Sequence, residues 1–304
     1  MKNALVRDMK PHCSLIFLFL FSCTQAGTIQ EESANSNTST QSSGVITIDG
    51  YVGLGALSSG TVNLIDISDP TNPAILASAT ADAAGHFQFS ESFSDISLIE
   101  LVAGGGSYID PFTYQTVSGN NYELKAIYQS SSLRNQPQVY LTPFSTLFVS
   151  LYDCLSGLGS LHADPYFYTA SIFNDVFDVY LSTAHDLMLN PSGDFSDNDS
   201  LYTLYNLAFS KMSSRFNARS GIDLTQVFSE HITDACSLLM TDQPVSKSYT
   251  FSAESFRRDY LEAFADLEDD AQFADLVGTN DLADLVSAIR ASNNLIFGFE
   301  TYAY

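Results

Sequence analysis

The groups in this 304-residue chain that could do chemistry are few: five histidines, four cysteines and 35 acidic side chains. A zinc site wants three or four His or Cys ligands at short spacing. Past the N-terminal region only His86, His162, His185 and His231 remain, and no His-Glu-x-x-His occurs. His162-Ala163-Asp164 and His185-Asp186 are short pairs. Asp164, however, precedes Pro165, where a helix needs its cap, and the other members fit helix surfaces. A serine-hydrolase elbow needs Gly-x-Ser-x-Gly on a strand-to-helix turn. The nearest stretch, Gly104-Gly105-Gly106-Ser107, has the wrong spacing and suits a tight turn. The phosphate-loop pattern Gly-x-x-x-x-Gly-Lys-Ser/Thr is absent.

The acidic residues offer two further places. Asp194-Phe195-Ser196-Asp197-Asn198-Asp199 has the oxygen density of a calcium loop. An EF-hand needs Gly at its sixth position and Glu at its twelfth; counted from Asp194, those positions hold Asp199 and Tyr205. An irregular calcium site at Asp194, Asp197 and Asp199 is one reading, and a polar loop ending in a helix cap is the other. Glu262, Asp266, Glu268, Asp269 and Asp270 form an acidic run on one helix. Paired carboxylates can do acid–base work on glycosidic bonds, but this spacing also fits a solvated face relieved by Arg257 and Arg258. The tail from Leu295 to Tyr304 is aromatic and partly alternating, which suits either a docking strand or a segment folded back on the helices.

These groups must be positioned by the rest of the chain, and the charge comes first. The net charge is −23. Asp and Glu make up about 12 % of residues and Lys and Arg only about 4 %, so the charge comes from missing bases. Such a surface repels phosphate backbones and anionic lipid, which argues against nucleic acid and against membrane attachment by a basic patch.

Residues 1–22 carry Lys2, Arg7 and Lys10 ahead of Ser14-Leu15-Ile16-Phe17-Leu18-Phe19-Leu20-Phe21. A basic region before a short apolar core is the layout of a secretory signal, and the core is shorter than the ~20 residues that span a bilayer. Met1 and Met9 are both candidate starts. Leu20-Phe21-Ser22-Cys23 resembles the lipobox of bacterial lipoproteins, with Phe21 bulky for its slot. That resemblance implies cleavage after Ser22 and lipidation of Cys23. Two or more acyl chains hold a protein stably at a membrane. Thr24 stands where an Asp would signal inner-membrane retention, so the expected location is the outer membrane of a bacterial envelope. Losing residues 1–22 removes three bases and one acid, leaving nine bases against 34 acids. Cys13 leaves with the signal, so Cys154 and Cys236 remain. An even pair in an exported protein forms either a disulfide or two buried thiols.

Residues 23–43 are a polar tether rich in Ser, Thr, Asn and Gln that cannot build a core. From Gly44 the texture becomes short β-rich runs broken by turn residues: 45–48, 61–67, 75–80, 86–90, 96–102, 112–117 and 122–128. Seven strands in roughly 85 residues predict a β-sandwich over 44–130. Gly60-Thr61-Val62-Asn63-Leu64, followed by Thr80, Asp82, Gly85 and Phe87 in Thr-x-Asp-x-x-Gly-x-Phe spacing, resembles the carboxypeptidase regulatory-like (transthyretin-like) sandwich. Gly85 is expected to supply a positive-φ turn. Gly105-Gly106-Ser107-Tyr108-Ile109-Asp110 and the later Leu141-Thr142-Pro143-Phe144-Ser145-Thr146-Leu147 are similar to a pairing found in bacterial surface lipoproteins, where the second stretch opens helices. The resemblance implies an accessory or spacer module with no catalytic residues to carry over.

From Thr142 the apolar period turns helical. Start signals at Thr142-Pro143, Asp164-Pro165, Asp199 or Ser200, Asp223, Ser252 and Asp281 predict an all-α bundle of about six helices over 141–304. The whole is therefore an α+β chain: signal 1–22, tether 23–43, sandwich 44–130, helical region 141–304. The function these features favour is a non-enzymatic, lipid-anchored envelope protein that binds a surface protein or polysaccharide. The alternatives are an envelope hydrolase using carboxylates of the helical region, and a calcium-stabilised exported module.

Overall fold

A computed structural model describes residues 45–53, 57–92, 96–110, 112–118, 123–133, 138–157, 164–177, 199–220, 253–270 and 282–291, together with Phe228 and Ile232. The strands are β1 Val45–Val52, β2 Thr61–Asp66, β3 Ala74–Thr80, β4 His86–Ser92, β5 Leu98–Gly104, β6 Ser107–Ile109, β7 Thr116–Ser118, β8 Glu123–Gln129 and β9 Gln138–Leu141. The helices are α1 Ser130–Leu133, α2 Pro143–Gly157, α3 Pro165–Phe177, α4 Asp199–Ser220, α5 Ala253–Glu268 and α6 Leu282–Ala291. The chain is α+β, as its sequence texture predicts. Each of the seven expected strands has a counterpart, with the run over 112–117 narrowed to β7. Among the described residues β6 and β9 are additional.

The strands form a sheet of order β4-β1-β9, a sheet of order β3-β2-β5-β8 and the hairpin β6-β7. In the first, β1 pairs antiparallel with β4 and parallel with β9. Period-2 alternation sends Ile48, Val52, Phe87, Phe89, Val139 and Leu141 inward, all under 5 % exposed. In the second sheet Val62, Leu64, Ile99, Leu101, Ala103, Leu124 and Ala126 are buried in the same way. Both sets belong to one continuous core with the described helices, and Ser43–Tyr304 forms one compact unit. The regions 44–130 and 141–304 both fall within it.

The turn between β3 and β4 shows why the Thr-x-Asp-x-x-Gly-x-Phe spacing is needed. The Asp82 carboxylate accepts from the backbone N–H of Ala84 (2.8 Å) and His86 (3.0 Å). The Gly85 N–H donates to the Asp82 carbonyl at 3.0 Å, and Gly85 takes φ 76°, a conformation with no side-chain penalty for glycine. Phe87 then enters the core. The two strands belong to different sheets, so the turn makes a corner between them.

The Thr142-Pro143 signal does start a helix. The Ser145 N–H donates to Thr142 Oγ1 (3.1 Å) and the Thr142 N–H donates back to Ser145 Oγ (2.9 Å), a reciprocal cap with Ser at the third position. The same turn serves β8. Ser145 Oγ donates to the Lys125 carbonyl at 2.6 Å, and the Lys125 N–H donates to Thr146 Oγ1 at 2.9 Å. At Lys125 the edge of β8 that β5 leaves open is thus met by two hydroxyls of α2, which covers part of an otherwise sticky sheet edge.

Asp164 caps α3, accepting from the Phe167 N–H at 3.1 Å. Helices α4, α5 and α6 begin at or next to the expected signals. The fourth expected helix lies outside the described residues except for Phe228 and Ile232, both helical and buried. Phe144, Phe173, Tyr205, Phe209, Phe228, Phe256, Tyr260 and Phe264 pack ring against ring, each no more than 1 % exposed. Phe209 and Tyr260 stack at 4.2 Å, while Phe209 meets Phe228 edge-on at 5.1 Å. Among the described residues no helix is long and apolar enough to cross a membrane.

Candidate functional site

The inward alternation of β1, β4 and β9 has an outward complement. Register sets Tyr51 opposite His86 on one side and Tyr140 on the other, Asp49 between Gln88 and Gln138, and Thr47 beside Ser90. Cross-strand partners share a face, so three rows run across the sheet. The first is aromatic, the second is amide–carboxylate–amide, and the third is hydroxyl.

Within the aromatic row, Tyr51 and Tyr140 lie near-parallel (17°) with centroids 5.8 Å apart. The His86 ring is 5.1 Å from that of Tyr51, tilted by 54°. Tyr140 is nearly covered, Tyr51 and His86 are half-buried, and Thr47, Gln88, Ser90 and Gln138 are exposed. His86 Nε2 hydrogen-bonds Asp49 Oδ1, linking the first row to the second. Its Nδ1 lies 3.8 Å from Asp82 Oδ2, beyond hydrogen-bond reach. The bonds Asp82 accepts, first from the His86 N–H and then from the Ala84 N–H, hold its carboxyl below the ordinary range. The imidazole is therefore fixed by Asp49 through its side chain and by Asp82 through its backbone. The face has hydrogen-bonding amides, a carboxylate and an aromatic surface.

A second cluster lies where α2 meets β5 and β8. Glu100 Oε1 is 3.7 Å from Lys125 Nζ, which is 4.0 Å from Glu123 Oε2. The Glu100 side chain is only 14 % exposed. Burial pushes its pKa up to about 7 against the opposing pull of Lys125. Desolvation also raises Asp153, again opposed by Lys125. Asp153 is exposed by surface area, so its shift carries less weight than that of Glu100.

The residues singled out by sequence fall as follows. Cys154 lies half-buried on α2 and is disulfide-bonded; its expected partner, Cys236, lies outside the described residues. So do Cys23, Asp194, Asp197, His162, His185, Asp186 and His231. Asp199 is the first residue of α4, one of the two helix starts expected there. Glu262 and Asp266 on α5 are both bound by Arg215 of α4, with Nη1 donating to Glu262 at 3.2 Å and Nη2 to Asp266. Arg258 sits 3.4 Å from Asp259 and 3.9 Å from Glu262, while Arg257 donates to the Arg290 carbonyl of α6 at 3.2 Å. The acidic face is thus part of a helix-to-helix ion network. Among the described residues no three His, Cys, Asp or Glu side chains converge to hold a metal ion.

Alternation through His86-Phe87-Gln88-Phe89-Ser90 puts Phe87 and Phe89 on one face and implies the opposite face of β4, but does not by itself bring Asp49, Tyr51, Gln138 or Tyr140 beside it. The available signal was alternation continuing past Ile48 through Asp49 and Tyr51. Compared with family models, curated proteins and solved structures, the chain matches none of them.

Proposed function

We propose that this protein is a non-enzymatic, lipid-anchored recognition module of a bacterial cell envelope, most simply of the outer membrane. Its chain runs from a signal over 1–22 and a tether over 23–43 to a transthyretin-like β-sandwich and a helical bundle. The observation that carries the recognition reading is the open β4-β1-β9 face, with its aromatic, amide–carboxylate and hydroxyl rows. Its histidine is tied to one oxygen of the Asp49 carboxylate, which suits a fixed hydrogen-bonding surface. The helices support this role by burying their rings in a rigid interior. Anchorage rests on Leu20-Phe21-Ser22-Cys23, and we infer a Cys154–Cys236 disulfide within the exported part.

Intact mass of the membrane-extracted protein, beside a Cys23→Ala variant, tests the anchor. The expected result is a chain beginning at Cys23 with added acyl mass, and a variant that is released or left unprocessed. A soluble, unlipidated wild type cleaved elsewhere would overturn it.

The raised pKa of Glu100, beside Lys125 and Asp153 of α2, favours a second reading, an envelope hydrolase working with that carboxylate pair. A calcium site at Asp194, Asp197 and Asp199 remains a third proposal, resting on the spacing of those residues alone.

A further inference from the structure

We infer that the occupant of the β4-β1-β9 outer face is a neutral polysaccharide, bound along the rows with a sugar ring against Tyr51 and its hydroxyls on Gln88, Asp49 and Gln138. This rests on the reading of that face as a recognition surface and adds the chemical class of the ligand.

Three observations converge. The first is chemistry. A pyranose presents an apolar C–H face and a rim of hydroxyls. The C–H face suits the negative face of an aromatic ring. The hydroxyls suit planar groups that both donate and accept, which is what two amides flanking a carboxylate provide. Tyr51 is adjacent to that row by register, two residues along the same strand from Asp49. Asp49 Oδ1 is occupied by His86, which leaves Oδ2 to accept.

The second is charge. Asp49 and Asp82 both border the face and no Lys or Arg lies on its three rows. In a chain of net charge −23, an anionic polymer would meet repulsion with nothing to offset it. A neutral polyol does not.

The third is size. Three strands ~4.8 Å apart and rows spread over ~14 Å of strand give a face on the order of 10 by 14 Å. That is the footprint of two or three sugar rings. A stable protein interface needs roughly 800 Å² from each partner, and the hydrophilic second and third rows supply no apolar centre for one.

The test uses the full-length, membrane-extracted protein and cell-envelope fragments of the host as the probe. The fragments are left untreated, oxidised with periodate to cleave vicinal diols, or digested with protease. Cosedimentation is measured for wild type, for Tyr51→Ala and for Gln88→Ala combined with Gln138→Ala. All three proteins should fold and melt within several degrees of one another, since Gln88 and Gln138 are exposed and Tyr51 is only half-buried, and binding is measured well below the lowest Tm. The expected result is binding that periodate abolishes, protease spares, and each variant weakens about tenfold or more. Retarded migration of wild type through a gel containing a neutral polysaccharide, but not an anionic one, would support the same class. Binding that protease abolishes, periodate spares and Tyr51→Ala weakens would overturn the saccharide and leave the recognition face standing. Absence of binding, or binding that both variants leave unchanged, would overturn the saccharide and the recognition face together.

Discussion

Tyr51 and Tyr140 lie near-parallel at 5.8 Å on an outward sheet face, while Phe209 and Tyr260 stack at 4.2 Å in a closed interior. The residue types are nearly the same; Tyr140 is nearly covered as well, and Tyr51 is the ring whose surroundings differ, being only half-buried. Tyr260 is fully buried, and burial raises its phenol pKa well above the ordinary value. Its hydroxyl is met by the Tyr205 carbonyl at 3.4 Å, as a buried polar tip requires. Tyr51 is half-buried beside the His86–Asp49 pair. Ring stacking adds only ~0.5–1.5 kcal/mol beyond the area buried. The difference between a ring that holds the fold and one free to recognise something therefore lies mainly in burial.

The largest effect follows directly. Phe209→Ala removes a ring that touches Phe228, Phe256 and Tyr260 at once. It should cost ~3–5 kcal/mol. For a chain of this size that lowers Tm by roughly 10 °C, read by calorimetry. Tyr51→Ala, an aromatic loss on the half-buried outer face, gives up two ring pairs worth ~0.5–1.5 kcal/mol each and should lower Tm by only a few degrees. Equal losses from the two substitutions would break the comparison.

Glu100 sharpens it with a polar group. The carboxyl is enclosed at the α2 junction and its pKa stands at about 7, against an ordinary 4.5. Between those values the unfolded chain ionises while the folded one keeps its proton, so folding takes up a proton. Stability should therefore be greatest below pH 4.5 with respect to this group and fall as pH rises toward 7, by up to about 3 kcal/mol, levelling above that. Glu100→Gln should remove this slope, raising Tm at pH 8 more than at pH 5. If the Glu100–Asp153 pair did acid–base work instead, the same variant would also abolish turnover of peptide or polysaccharide.

Much of this architecture was legible because local rules were strong. Asp164-Pro165 and Thr142-Pro143 carry their caps with them, and Phe87 and Phe89 declare an inner face by alternation. β9 was not legible. It is four residues long, sits between a polar stretch and a helix start, and exists because β1 offers it a parallel edge. Its Tyr140 and Gln138 complete the candidate face, so the site depends on a pairing across nearly ninety residues that no local pattern encodes. Arg215 was missed for the same reason. Its partners, Glu262 and Asp266, lie on another helix, whereas the near neighbours Arg257 and Arg258 looked sufficient in sequence.

Gly50 joins the two kinds of surface, because it separates Asp49 and Tyr51 on β1 while its own Cα faces the core. A Cβ built there would stand 2.3 Å from Phe87 Cζ and 2.6 Å from Val139 Cγ2. Both are ends of core side chains from the strands flanking β1, so Phe87 and Val139 must repack to admit it. Gly50→Ala should therefore overpack the floor beneath the rows and cost about 1–3 kcal/mol, less than the loss of Phe209. The outward side chains are set by register, and register survives as long as the strands stay paired. Envelope-fragment binding measured well below Tm should then fall far less than it does for Tyr51→Ala. A Gly50→Ala variant that keeps its Tm but loses binding would mean that the face depends on sub-ångström strand spacing. The open surface would then be as tightly specified as the aromatic interior.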